Sequence, residues 1–161
     1  MEIYREGRQI MLSCGDVNQW KPGYPTEEII RNDIEAGQSY AVVDGDAAVD
    51  GDVDYYGAAV VGAFAFIPGV DPTYTVVYGG AWIDDTLPYA TIHRLASTMD
   101  SHGVASACFD WCWSQIHNLR IDTHEDNVIM RHCIEKAGFR YCGIIHLLNG
   151  DPRLAFQKLP E

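Results

Sequence analysis

The chain has 161 residues, 47% of them apolar, and carries 23 acidic against 11 basic side chains, a formal net charge of −12 with histidine neutral. That length and apolar share fit one domain, over residues 1–161, with one substantial core, and exclude disorder as the default state. The charge argues against nucleic acid and anionic membrane as partners, since both attract positive surfaces; it suits cationic ligands such as amines, or serves solubility alone.

Ile3, Tyr4, Gly7, Ile10 and Met11 fall on one side of a helix predicted over residues 2–13. The first residues lack the apolar stretch of a signal peptide, and no window approaches ~18 apolar residues, so a cytoplasmic protein without a membrane span is expected. Residues 19–25 form a loop punctuated by Pro22, Gly23 and Pro25. Thr26 is placed to cap a helix over 27–36, with Ile29, Ile30 and Ile34 inward and Gly37 as its stop. Strands are expected over 39–44 and 58–67.

Between those strands stand Asp44, Asp46, Asp50, Asp52 and Asp54. A calcium loop of the EF-hand type needs glycine at its sixth position and glutamate at its twelfth. Counted from Asp50, those positions hold Tyr55 and Val61, so a solvated hairpin loop is the reading. Residues 68–88 show no clear period beyond a short turn or strand near 74–78.

From there the order is strand 89–97, helix 104–117, strand 119–123, helix 127–137, strand 140–147, a turn at 149–152 and strand 153–159. This is a mixed α/β pattern with parallel strand–helix–strand units late in the chain. In the last helix Ile129, Met130, Cys133, Ile134 and Ala137 form one stripe, Arg131 and Glu135 an i,i+4 pair, Asp126 the cap and Gly138 the end. The five cysteines, Cys14, Cys108, Cys112, Cys133 and Cys142, are odd in number and unclustered, which suits reduced thiols. Cys108 and Cys112 share a helix face but lack two further ligands at a recognised spacing, so no metal is expected and small buried hydrophobes are the reading.

The turn from strand 89–97 into helix 104–117 carries Gly103. A helix start offers free N–H groups and the positive end of the dipole, and glycine allows close approach, so the turn suits an anion such as phosphate. It is neither G-x-x-x-x-G-K-[ST] nor G-x-G-x-x-G, which argues against a nucleotide triphosphatase and a dinucleotide-binding unit. Taken alone, a bare helix start with a steric glycine is the better reading.

The run Leu119-Arg-Ile-Asp-Thr-His-Glu-Asp-Asn127, followed by a helix and by Lys136-Ala-Gly-Phe139, resembles the end of a GNAT-type N-acetyltransferase in the order strand, Asn, helix, Lys-x-Gly-Phe, strand. The likeness in element order covers about residues 39–159. It implies a GNAT-like acyl-CoA N-acyltransferase fold, a central mixed sheet flanked by helices, with acetyl-CoA as co-substrate. Direct attack by a primary amine, of a small molecule or a peptide, within a ternary complex is also implied. A catalytically silent acyl-CoA-binding or ligand-sensing domain is the alternative.

The resemblance puts the coenzyme A diphosphate on His102, Gly103, Val104, Ala105 and Ser106. The pantetheine lies along Leu95, Ala96 and Ser97, whose backbone N–H polarises the thioester carbonyl, with Asn127 as a further hydrogen-bonding partner. Three departures stand out. Asp100 replaces the family's basic or amide residue in Gln/Arg-x-x-Gly-x-Gly/Ala. Ile134 stands where many members carry a tyrosine acid, seven residues after the asparagine, with Tyr141 and Cys142 nearby in sequence. The family's opening strand is missing before the first helix, leaving strand 39–44 as an edge that a second copy covers in a homodimer.

An amine with the pKa of lysine costs roughly 4–5 kcal/mol to deprotonate at pH 7, so a base is needed. The candidates are His93, on a strand face with Tyr89, Thr91 and Leu95, and Asp122 and His124, on one with Arg120. Alternatively His93 is an interior histidine, and Asp122 pairs with Arg94 or Arg120. Trp20, Tyr24, Trp82 and Tyr89 are candidates for an aromatic wall around a cationic acceptor, or ordinary anchors of core and loops.

Overall fold

The computed structural model describes residues 1–44 and 58–160. In chain order these form α1 (Glu2–Ser13), α2 (Glu27–Glu35), β1 (Ser39–Asp44), β2 (Ala59–Pro68), a 3-10 turn (Pro72–Tyr74), β3 (Ala90–Ser97), α3 (Val104–Gln115), β4 (Leu119–Thr123), α4 (Val128–Lys136), β5 (Arg140–His146) and β6 (Pro152–Lys158). The acidic stretch read as a hairpin loop lies, after Asp44, outside the described residues. None of the described helices is long and apolar enough to cross a membrane.

The strands form one mixed sheet in the order β1-β2-β3-β4-β6-β5, with β1 at one edge, as expected of strand 39–44. Only β3 and β4 run parallel. Their pairing lasts from Ala90↔Leu119 to Ile92↔Ile121; β3 then runs on to Ser97 and β4 to Thr123 without a shared ladder. That parting of two central strands is the feature on which the site depends.

A bulge in β3 causes the first correction. Pairing with β2 passes from Ala65↔His93 to Ala63↔Ala96, so both Arg94 and Leu95 stand against Phe64. Arg94 absorbs the extra residue at φ 55. A bulge reverses the alternation beyond it. Leu95 therefore joins Ile92 in the core under α3 rather than sharing the His93 face, and Ala96 turns toward α1. The Arg94 guanidinium spans to α2, where Nε and Nη2 each lie 2.8 Å from the Asp33 carboxylate. This two-point pair draws Asp33 inward and leaves Ile34, expected inside, 61% exposed.

On the other face Val104, Cys108, Phe109 and Cys112 of α3 pack on Phe64, Ile92, Ile134 and Phe139. The two cysteines are buried small hydrophobes, as expected, and burial pushes the Cys108 thiol well up. Gly62 has its place here because a Cβ would collide with the Val104 side chain. In α4, Ile134 is fully buried but Ile129 is 48% exposed, so the stripe is narrower than predicted. Arg131 donates to the Glu125 carbonyl at 3.2 Å, and the expected pair with Glu135 is not formed. The cap is Asn127 rather than Asp126: its Oδ1 accepts the Met130 N–H at 3.1 Å.

Candidate active site

Where β3 and β4 part, a cavity of about 500 Å³ opens, walled by Ile92–Leu95 on one side and Ile121–Thr123 on the other. Because the two strands are parallel, the helices that come after them start at the same end of the pair, the end where it splays. α3 begins at Gly103 with φ 78 and no side-chain cap. Its first intrahelical bond is Ala107 N–H to Gly103 O, so the Val104, Ala105 and Ser106 amides have no partner among the described residues. Space is open where a Cβ of Gly103 would stand. Those free donors fit an anionic group. Two carboxylates sit close by: Asp100 is exposed in the turn, and Glu6 Oε2 accepts the Met99 N–H at 3.0 Å.

The opposite end of the cavity is polar. His93 Nε2 lies 2.8 Å from Asp71 Oδ2, and Nδ1 lies 3.8 Å from Asp122 Oδ1. Asp71 Oδ1 accepts the Thr73 N–H at 2.8 Å and the Thr73 hydroxyl at 2.7 Å. Burial raises the Asp71 carboxyl, but the bonds from His93 and Thr73 outweigh it and bring it down to about 2. Asp122 Oδ1 accepts the Tyr74 hydroxyl at 2.6 Å. Complete burial, with Asp122 beside it, holds the Tyr74 phenol well above its ordinary value of 10.0. The nearest cation to Asp122 is Arg153, Nε at 3.9 Å, and neither Arg94 nor Arg120 pairs with it.

Of the side chains singled out from sequence, His93, Asp122, Leu95, Asn127, Trp20 and Tyr24 line this cavity together. Ala96, Ser97 and residues 102–106 do not; Ala96 packs on the α1 side with Tyr4 and Trp20. Beyond Ile92 the β4-facing edge of β3 has no strand partner among the described residues. Trp82 and Tyr89 are not walls of the cavity. They sandwich the buried Arg120 guanidinium at 4.1 and 3.8 Å from its central carbon. Trp82 also stacks on Tyr74 with ring centroids 5.5 Å apart, and the Tyr89 hydroxyl accepts the Asp71 N–H at 3.0 Å.

His124 is also away from the cavity, because β4 ends at Thr123 and the expected alternation stops there. Its Nδ1 accepts the Asp126 N–H at 3.2 Å and lies 4.0 Å from Asp16 Oδ1. Asp16, His124 and Asp126 gather ligand-type atoms within 4.8 Å of one another. Asp16 Oδ1 already accepts the Asn18 and Gln19 N–H groups, the pattern of a loop-closing Asx turn.

No family model matches the chain, and no curated protein matches it. Among solved structures it is similar to a GNAT-family acetyltransferase from Streptococcus agalactiae: 30% identity over 100% of this chain and 88% of that one, with a TM-score of 0.83. The chain belongs to the GNAT acetyltransferase family. Its fold is shared more distantly by a GNAT-family acetyltransferase from Listeria monocytogenes, 17% identical over 98% of this chain and 85% of that one at a TM-score of 0.64. It is shared as well by a chain of the NatC complex bound to Gag peptide and CoA, 15% identical over 99% of this chain and 91% of that one at 0.52.

Within this GNAT protein the position of the family's tyrosine is closed to chemistry, since Ile134 is fully buried among core residues. Tyr141 and Cys142 do not replace it: neither lines the cavity, and burial pushes the Cys142 thiol up. Tyr24 is the only tyrosine in the lining among the described residues. Sequence reasoning missed Asp71, Thr73 and Arg153. Asp71-Pro72-Thr73 carried a legible signal, an N-cap aspartate followed by proline at the first helical position.

Proposed function

We propose that this GNAT protein is, as one domain, an acetyl-CoA-dependent N-acetyltransferase that transfers the acetyl group to a primary amine, of a small molecule or a peptide, by direct attack in a ternary complex. The observation that carries the reading is the parting of β3 from β4 beyond Ile92, which leaves a cavity with an unpaired strand edge and His93 within it. The free amides of residues 104–106 would hold the diphosphate, the open edge of β3 the pantetheine, and Asn127 a further contact through its amide. A β3 N–H would polarise the thioester carbonyl.

His93 is the base in this proposal, taking the proton that an ammonium must lose before it attacks. Trp20 and Tyr24, with ring centroids 6.0 Å apart, wall the acceptor side. The five cysteines are unpaired, which suits a reducing, cytoplasmic setting. A second copy paired along the edge of β1 that has no partner among the described residues belongs to the same proposal, and a monomer in sedimentation would remove that part of it.

Ile134, core-bound where an acid is common, favours the silent acyl-CoA-binding alternative. Titration calorimetry with acetyl-CoA and thiol release across a panel of primary amines separate the two. Binding with thiol release is expected; binding without turnover on any amine supports the silent domain, and no binding overturns both.

A further inference from the structure

His93 shows its two ring nitrogens to two different carboxylates, and the two contacts are unequal. Nε2 is within hydrogen-bond distance of Asp71 Oδ2 at 2.8 Å, whereas Nδ1 is 3.8 Å from Asp122 Oδ1, too far for a direct bond. Asp71 is fixed on every side: two donors from Thr73 on Oδ1, His93 on Oδ2, and its own N–H on Tyr89. An ionised carboxylate only accepts, so the proton in the short contact belongs to Nε2 and the lone pair of neutral His93 is on Nδ1. Asp122 is held by one hydrogen bond, from the Tyr74 hydroxyl at 2.6 Å, with the Arg153 charge 3.9 Å away.

Two acceptors therefore lie 3.8 Å apart on the cavity wall with no hydrogen bond joining them: Nδ1, and Asp122 Oδ1, which takes the Tyr74 hydroxyl on one lone pair and keeps another for a second donor. One nitrogen bearing at least two N–H groups reaches both, because N–H hydrogen bonds run about 2.7–3.2 Å. We propose that Asp71 is a positioning residue that holds His93 in its Nε2–H form, so that Nδ1 and Asp122 Oδ1 together seat the ammonium of a primary amine. A quaternary ammonium has no N–H to offer and is not seated.

The chemistry after binding rests on the N-acetyltransferase reading. The ammonium gives one proton to His93 Nδ1, and the neutral nitrogen stays on Asp122. Its lone pair forms the new C–N bond to the thioester carbonyl carbon. The C–S bond breaks with its electrons on sulfur, and the nitrogen sheds a second proton. The products are amide, thiol and one proton.

The test is ¹⁵N NMR of histidine-labelled protein above the His93 titration, with His93 assigned by the spectrum of His93→Gln. Wild type is expected to show the Nε2–H form, and Asp71→Ala a mixture or the Nδ1–H form, while Asp71→Asn, which keeps an oxygen acceptor, restores Nε2–H. Added n-hexylamine is expected to shift Nδ1, and hexyltrimethylammonium to leave it unmoved. An Nδ1–H form in wild type, an unaltered form in Asp71→Ala, no response to hexylamine, or equal responses to the two cations overturns the proposal. If Asp71→Ala does not fold, the wild-type form and the two titrations decide alone. None of these readings uses acetyl-CoA, so failure to bind it in calorimetry would end the transferase reading while leaving the tautomer result intact.

Discussion

Two helices begin at the same end of the parallel strand pair, and they begin differently. α4 is closed by its own cap, the buried Asn127 holding the Met130 N–H. α3 starts at a left-handed glycine, and its first three amides have no partner among the described residues. The Pro72–Tyr74 turn and α2 share the α4 pattern, capped by Asp71 and Thr26. A side-chain cap contributes roughly 0.5–2 kcal/mol, so a helix without one forgoes stability that its neighbours take. α1 also starts without a side-chain cap, so what sets α3 apart is the left-handed Gly103 and the open space beside it.

The sharpest break is to give α3 the cap it lacks. Gly103→Asp would put a carboxylate on the free amides, in a backbone conformation aspartate tolerates better than most residues. Acetyl-CoA affinity should fall by about tenfold or more, equivalent to ~1.4 kcal/mol, in calorimetry, beside a lower thermal melt from the strain of a side chain at φ 78. Unchanged affinity would mean that these amides hold no anion.

Asp71 tests the capped side through pH. Its folded pKa, about 2, lies below the ordinary 3.8, because the His93 and Thr73 bonds outweigh the upward push of burial. Its contribution is therefore complete above pH 4 and lost as pH falls through 2, amounting after solvent screening to about 1 kcal/mol. Urea unfolding of wild type should weaken across that window by that much more than Asp71→Asn.

Asn127→Ala removes the cap of α4 and should cost ~1 kcal/mol in urea unfolding. If the uncapped and capped starts differ in purpose, the same change at Asn127 should lower stability first and acetyl-CoA affinity less than Gly103→Asp does. The smallest effect is expected at Asp100, exposed beside the free amides. Asp100→Asn should tighten acetyl-CoA by about two- to fivefold at low salt, a gain that fades as the screening length shrinks to ~8 Å at physiological ionic strength.

The elements from residue 89 onward were legible because their periods and stops are local. Gly103 and Gly138 bound α3 and α4 as read, and Asn127 stood at the start of α4, though as its cap. What was not legible depends on partners distant in sequence. Ile34 looked like a core residue until Arg94, 61 positions away from Asp33, claimed that carboxylate and rotated the helix. The bulge at Arg94 broke the two-residue alternation that had put His93 and Leu95 on one face. For Trp82 and Tyr89 the aromatic-wall reading stood beside that of ordinary anchors, and nothing local announces the Arg120 cation between them that decides for anchors. Asp71 was missed inside a stretch without period, although its own three-residue turn signature was there.

Lys21 Nζ meets Asp151 Oδ2 at 2.8 Å, and Arg153 Nη2 meets the Gln19 carbonyl at 3.1 Å, so the loop after α1 is tied to the β5–β6 hairpin. Contacts so far apart in sequence close late. The cavity wall that Trp20 and Tyr24 share with Leu147, Asp151 and Arg153 therefore joins residues more than 120 positions apart, and it closes only when the sheet brings the two ends of the described chain together.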